Sequence, residues 1–115
     1  MELLGDEENV AVRLSDVILN KSEAQEAFNT IIKNIKIFWD FDIVHADLSE
    51  YNILWWNSQP YIIDFPQSID KRTQSNAREL LEKDLSNVTN FFKKYIEIDF
   101  NKISEKYSPP YYKEY

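Results

Sequence analysis

The chain has 115 residues and a mass of 13.8 kDa, with one glycine, one histidine and no cysteine. That length suits one domain or a piece of a larger one, and 43% hydrophobic with 15% aromatic residues can build a packed core. With Gly5 as the sole glycine, no glycine-rich phosphate loop of the Gly-x-Gly-x-x-Gly or Walker kind can form. Without cysteine there is no disulfide, thiolate nucleophile or cysteine zinc site, and His45 alone cannot make a multi-histidine site. Metal or phosphate chemistry must therefore rest on oxygen ligands. The net charge is −7 and unevenly spread: residues 1–70 hold 4 Lys/Arg against 13 Asp/Glu, and residues 71–115 hold 9 against 7. Such acidity opposes a free-standing nucleic-acid binder, which needs clustered cations. No apolar run approaches the roughly 20 residues of a membrane span, and Glu2 stands where a signal peptide would be basic. A soluble protein of a reducing, cytoplasmic compartment is expected, with no membrane partner.

In chain order, residues 1–5 read as a short apolar segment, 6–12 as an acidic loop, and Leu14–Leu19 as a short helix. The first long helix is predicted from Ser22 to about Phe41. Ser22 and Gln25 make a capping-box pair, and Ala24, Ala27, Phe28, Ile31, Ile32, Ile35, Phe38 and Trp39 recur at helical spacing. Ile43-Val44 leads into a polar loop, His45–Asn52. Two β-rich runs follow, Ile53–Trp56 and Tyr61–Ile63, separated by Asn57-Ser58-Gln59-Pro60, which is a hairpin signature. A second long helix is predicted over 76–95, started by Asn76 and Glu79, with Leu81, Leu85, Val88, Phe92 and Tyr95 as its buried stripe and Leu80 and Phe91 beside it. A third spans about Asp99 to Lys106 and is stopped by Pro109 and Pro110, before an aromatic tail. The expected fold class is α+β and mostly helical, one domain with a small β-hairpin and the two long helices packed together.

The chemistry concentrates in residues 44–70. Asp47 and Asn52 lie five apart on one loop, and the hairpin returns Asp64 toward them. A turn centred between Ser58 and Gln59 pairs Asp64 with Ile53, and a half-residue shift pairs it with Asn52. Opposed residues have Cβ atoms about 5 Å apart and diagonal ones about 7–8 Å, so Asn52 and Asp64 can approach one cation. Mg²⁺ (or Mn²⁺) suits a site of few protein oxygens completed by water and phosphate. Asp47 is then free to accept a hydroxyl proton or orient a water. Asp-x-x-x-x-Asn alone is a weak signal. His-x-Asp-x-x-x-x-Asn, a hairpin and then apolar-Asp-Phe is a strong one, matching the order of a kinase catalytic loop and its metal-binding Asp-Phe.

His45-Ala-Asp-Leu-Ser-Glu-Tyr-Asn52 and Ile63-Asp-Phe-Pro-Gln67 closely resemble the RIO family of atypical serine/threonine protein kinases. The stretch from Asn76-Ala77 through Lys83-Asp84 to Asn87-Val88 and Phe91-Phe92 is also similar, and Met1–Gly5 resembles that family's hinge. The Ser-Glu-Tyr insertion favours the first RIO subfamily. Aminoglycoside-type phosphotransferases share the outline but usually carry His-Pro-Gly in the loop and lack the Pro-Gln. The resemblance implies a protein-kinase-like C-terminal lobe: a hinge at 1–5, a catalytic loop at 45–52, a metal-site hairpin at 53–65 and a tail at 104–115. It implies Asp47 as catalytic base, Asn52 and Asp64 as metal ligands, and Asp64 also as acceptor of a phosphoaspartate intermediate. ATP would place its adenine against backbone groups of Glu2 and Leu4. Ser49 stands where ordinary kinases carry a lysine, and His45 is expected to be a scaffold residue rather than a catalytic one. Trp55 and Trp56 alternate, one toward the core and the other toward a groove or partner.

By resemblance the partners are ATP and the small ribosomal subunit during its maturation. The phosphate-covering loop, strand lysine and helix glutamate of a kinase cannot be located here, so an N-terminal lobe on a missing segment or separate chain is expected. Negligible kinase activity is expected from this polypeptide alone. The alternatives are a non-catalytic binding module that keeps the lobe's fold and an aminoglycoside-type phosphotransferase lobe.

Overall fold

The structure is a computed structural model that describes residues 11–63 and 68–107. The expected hinge positions Glu2 and Leu4, the expected metal ligand Asp64 and the tail beyond Tyr107 lie outside the described residues. The fold is α+β and mostly helical, as expected. Helix α1 (Lys21–Asp40) carries Ala24, Ala27, Phe28, Ile31, Ile32, Ile35 and Trp39 on its buried face. It starts one residue before the predicted Ser22, because Asn20 is the N-cap. The Asn20 side chain accepts from the Glu23 amide at 2.8 Å, and the Glu23 carboxylate accepts from the Asn20 amide at 3.0 Å. The box is therefore Asn20/Glu23 rather than Ser22/Gln25. Asn caps as well as Ser does, and a cap of this kind contributes about 0.5–2 kcal/mol.

Helix α2 (Ala77–Phe92) buries Leu81, Leu85, Val88, Phe91 and Phe92, with Leu80 and Tyr95 partly buried against the same core. It stops short of the predicted end, closing in a turn in which the Tyr95 and Ile96 amides donate to the Phe92 carbonyl. Asn76 is its N-cap without a side-chain hydrogen bond, since its backbone is not extended there. The two long helices meet through the rings of Phe28 and Phe92, edge to face with centroids 5.4 Å apart. Helix α3 (Phe100–Glu105) is capped by Asp99, whose carboxylate accepts from the Asn101 amide at 3.1 Å. Arg78 ties it to α2 by donating to the carbonyls of Tyr107 (2.9 Å) and Ser104 (2.8 Å). The buried Tyr107 hydroxyl in turn donates to the Ile32 carbonyl at 2.9 Å.

Strand β1 (Val12–Arg13) falls in the stretch read as an acidic loop, and the helix expected at 14–19 is one short 3-10 turn, Leu14–Asp16. β1 joins a three-stranded antiparallel sheet with β3 (Ile53–Trp56) and β4 (Gln59–Ile62), in the order β1-β3-β4. A second small ribbon pairs β2 (Ile43–Val44) with β5 (Ile69–Asp70). The hairpin turn is shorter than expected. Asn57 and Ser58 both have positive φ, 53° and 59°, the signature of a two-residue type I′ turn. Gln59 and Pro60 are thereby drawn into the strand, with Ile62 opposite Ile53 and Pro60 opposite Trp55. The Ile63 amide donates to the Asn52 carbonyl at 2.9 Å, so Asn52 faces Ile63. Ile53 and Asn52, the partners envisaged for Asp64, thus stand opposite Ile62 and Ile63. Because hydrogen-bonded and open pairs alternate, Pro60 falls at an open pair on an edge strand, where its missing N–H costs nothing.

Trp39, fully buried, has the Lys71 ammonium 4.3 Å from its ring centroid. Phe92 is fully buried at the junction of α1 and α2. Phe92→Ala is expected to lower the unfolding free energy by about 3–5 kcal/mol, as truncation of a core aromatic does. Urea denaturation followed by far-UV circular dichroism measures it.

Candidate active site

The loop between β2 and β3 is shaped by α2. Asp84 lies in the middle of the apolar stripe of that helix and is 2% exposed. Its two carboxylate oxygens accept one backbone amide each, from Ala46 at 2.8 Å and from Leu48 at 3.0 Å. One turn further along, the Asn87 carboxamide donates to the Leu48 carbonyl at 3.1 Å. The helix thus grips the loop on both sides of Asp47, by its donors and by its acceptor. Ala46 needs that grip. Its φ of 72° is a left-handed conformation that a residue with a Cβ adopts at a cost of about 1–2 kcal/mol, and its amide is one of those Asp84 holds.

His45 is buried (3% exposed) and works from the other side. Its Nδ1 accepts the Asp47 amide at 3.2 Å, and its Nε2 lies 2.8 Å from the Ile63 carbonyl oxygen. The Nε2–H tautomer satisfies both bonds. The imidazole therefore bridges the loop to the returning strand, the scaffold role expected of it. Ile63, immediately before Asp64, is held twice, through its amide by Asn52 and through its carbonyl by His45.

Between these clamps the Asp47 side chain is exposed to solvent. Ser49 caps the 3-10 turn Glu50–Asn52, its hydroxyl accepting from the Tyr51 amide at 3.2 Å. The turn returns Asn52 to the loop, where its Nδ2 donates to the Asp47 carbonyl. Asp47 and Asn52 are thus brought together as expected. With Nδ2 committed, Asn52 Oδ1, a hard neutral oxygen, is the atom left for a cation, and no hydrogen bond among the described residues engages it. That donor chemistry fits Mg²⁺. Among the described residues no group of three His, Asp or Glu side chains converges, so a metal held here would rely on few protein ligands. Trp55 packs on the core, while Trp56 stands against Tyr61 with ring centroids 6.1 Å apart.

Sequence reasoning assigned no role to Asp84 or Asn87. The available signal was a carboxylate at the centre of a helical apolar stripe, between Leu81 and Val88. Burial pushes the Asp84 carboxyl above its ordinary value, against the amides of Leu48 and Ala46 and the nearby His45, which favour its charge. A carboxyl whose pKa is raised by folding binds more protons folded than unfolded, so its contribution to stability falls as pH rises through the raised value. Asp84→Ala is expected to cost about 1–3 kcal/mol for each amide left without an acceptor. Asp84→Asn keeps one acceptor oxygen, costs less, and loses the associated pH slope above the unfolded value. Urea midpoints across a pH series measure both effects.

The RIO domain family model matches residues 1–105 of the chain. The human serine/threonine-protein kinase RIO3 is 37% identical over 95 residues, covering 82% of this chain and 18% of that protein. The human serine/threonine-protein kinase RIO1 is 38% identical over 93 residues, covering 80% and 16%. The RIO-type serine/threonine-protein kinase Rio1 of Thermoplasma acidophilum is 38% identical over 106 residues, covering 91% and 54%. The chain spans between about a sixth and a half of the length of these relatives. No described helix is long and apolar enough to cross a membrane. On the match over residues 1–105 and the loop that those residues build, the chain belongs to the RIO family.

Proposed function

We propose that this chain is the catalytic-loop and metal-hairpin lobe of a RIO-type serine/threonine kinase or ATPase that transfers a phosphoryl group from ATP. The observation that carries the reading is the exposed Asp47 carboxylate on a loop whose Ala46, Asp47 and Leu48 amides and Leu48 carbonyl are engaged by Asp84, His45 and Asn87, with Asn52 folded back onto it. Asp47 accepts the proton of the attacking hydroxyl or aligns a water, a role worth about 10²–10⁴-fold in rate. Asn52, through Oδ1, and Asp64 would hold Mg²⁺, which when bound supplies charge stabilisation to the phosphates. Asp64 is also the group whose carboxylate would accept the γ-phosphoryl group of ATP, forming a phosphoaspartate as the β–γ P–O bond breaks and ADP leaves. Residues 1–5 serve as the hinge, where backbone groups of Glu2 and Leu4 receive adenine, 53–65 as the metal hairpin and 104–115 as the tail. The kinase names of the relatives support the reading, and by family the setting is maturation of the small ribosomal subunit in the cytoplasm.

Mn²⁺ tests the metal assignment on the chain alone. Titrated into ¹⁵N-labelled protein, it is expected to broaden the Asn52 side-chain amide and the Ile63 amide first, with Asp64→Ala abolishing the effect and Asp47→Asn leaving it. Broadening that ignores Asp64→Ala would remove the assignment and favour a binding module without phosphoryl-transfer chemistry. Supplied with the N-terminal portion of a RIO kinase, the chain is expected to hydrolyse ATP, with Asp47→Asn about 10²–10⁴-fold slower and Asp64→Ala inactive.

A further inference from the structure

Beside the loop, on the side of its 3-10 turn, a groove of about 580 Å³ runs between that turn and the C-terminal half of α2. Glu50 and Tyr51 form one wall, and Asn87, Asn90, Phe91 and Lys94 form the other. Asn87, Asn90 and Phe91 on α2 and Lys94 two residues past its end are spaced i, i+3, i+4 and i+7, which puts them in one row along the helix direction. The row has a fixed origin, because Asn87 is bonded to the carbonyl of Leu48, the residue next to Asp47. Lys94 stands seven residues on, and helical backbone persists through Lys93, so it is roughly 10 Å from that origin at 1.5 Å rise per residue.

The two ends differ in charge. Glu50 joins Asp47 and Asp84 near the loop. At the far end Lys94 is the one cation among the described residues that line the groove, with its ammonium 4.5 Å from the ring centroid of Phe91 and 5.2 Å from that of Tyr95. Those two rings hold the ammonium in place, and no carboxylate among the described residues lies within ion-pair distance of it. Between the ends, Tyr51 offers a 59% exposed ring and Asn90 a solvent-facing carboxamide that can pair with a peptide group by donor and acceptor together.

We infer that this groove receives the polypeptide acceptor as an extended segment, with an Asp or Glu side chain about three residues from the Ser or Thr hydroxyl offered to Asp47. The spacing follows from the roughly 10 Å between origin and cation and the 3.3 Å rise of an extended chain. The sign follows from Lys94 in a groove whose loop end is acidic. The inference rests on the kinase reading, because Asp47 fixes where the hydroxyl sits.

The test uses nine-residue peptides with a central serine and a neutral dye, bound to the chain without nucleotide and followed by fluorescence anisotropy. Glutamate is placed three residues before or three residues after the serine, with glutamine controls. At low salt one of the two glutamate peptides is expected to bind about threefold to fivefold more tightly than its control, the size of an exposed ion pair. The difference should shrink toward parity at 0.5 M salt. Lys94→Arg keeps the preference, and Lys94→Glu reverses it toward a peptide with lysine in that position, which also shows that the variant is folded. Asp64→Ala removes the Mn²⁺ effect but leaves the peptide preference intact, so the metal reading and the groove fail separately. Equal binding of glutamate and glutamine peptides in both registers, no measurable binding of any peptide, or a glutamate preference that survives Lys94→Glu overturns the inference.

Discussion

A single buried carboxylate sets the geometry on which the rest depends. Asp84 projects from the core face of α2 and holds the amides on either side of Asp47. A loop of this kind has no intrinsic reason to present one acid outward while its backbone turns through a left-handed residue at Ala46. Two charge-assisted hydrogen bonds in a low-dielectric setting supply that reason, since such bonds are about twice as strong as neutral ones. The arrangement also separates two acids that are close in space. Asp84 has its oxygens consumed by amides and serves architecture, whereas Asp47 has its backbone consumed and its side chain turned to solvent.

The grip is effective because α2 is itself immobilised. Phe92 packs edge to face on Phe28 of α1, and Arg78 near the N-terminal end of α2 binds the Ser104 carbonyl in the last turn of α3 and the Tyr107 carbonyl just beyond it. Tyr107 closes the circuit by donating to Ile32 on α1. The helices that form most of the core are thus cross-braced by side chains reaching backbone carbonyls, and the loop inherits their rigidity. His45 extends the frame to the returning strand, its imidazole joining the Asn52 carbonyl in holding Ile63 against the loop.

What could be read from the sequence divides along physical lines. The two long helices were legible because apolar residues recur at a period that only a helix satisfies, and α1 and α2 bury nearly the stripes that the period selects. The loop shared by Asp47 and Asn52 was legible from the polar run between two apolar segments, and Asn52 folds back onto Asp47 there. The capping box was misplaced by two residues because Asn20 and Ser22 are both good caps, and only the packing of the preceding chain decides between them. Strand β1 was not legible, for two residues carry no period and its pairing partner is some forty positions away. The hairpin register slipped because Ser58 gives little hint of positive φ, and Pro60 argued for a loop although an open edge pair accommodates it. Asp84 was quoted only as part of a family match, since its role depends on two amides that lie far from it in sequence.

The placement of β1 has a mechanical consequence. Val12 and Arg13 pair with Trp55 and Leu54 on β3, the strand that begins immediately after Asn52. The described fold is therefore entered through a strand that shares its central neighbour with the hairpin. The backbone entering at residue 11 is thus tied by strand pairing to β3, the central strand of that sheet. One sheet therefore joins the start of the described chain to the strand that opens right after Asn52.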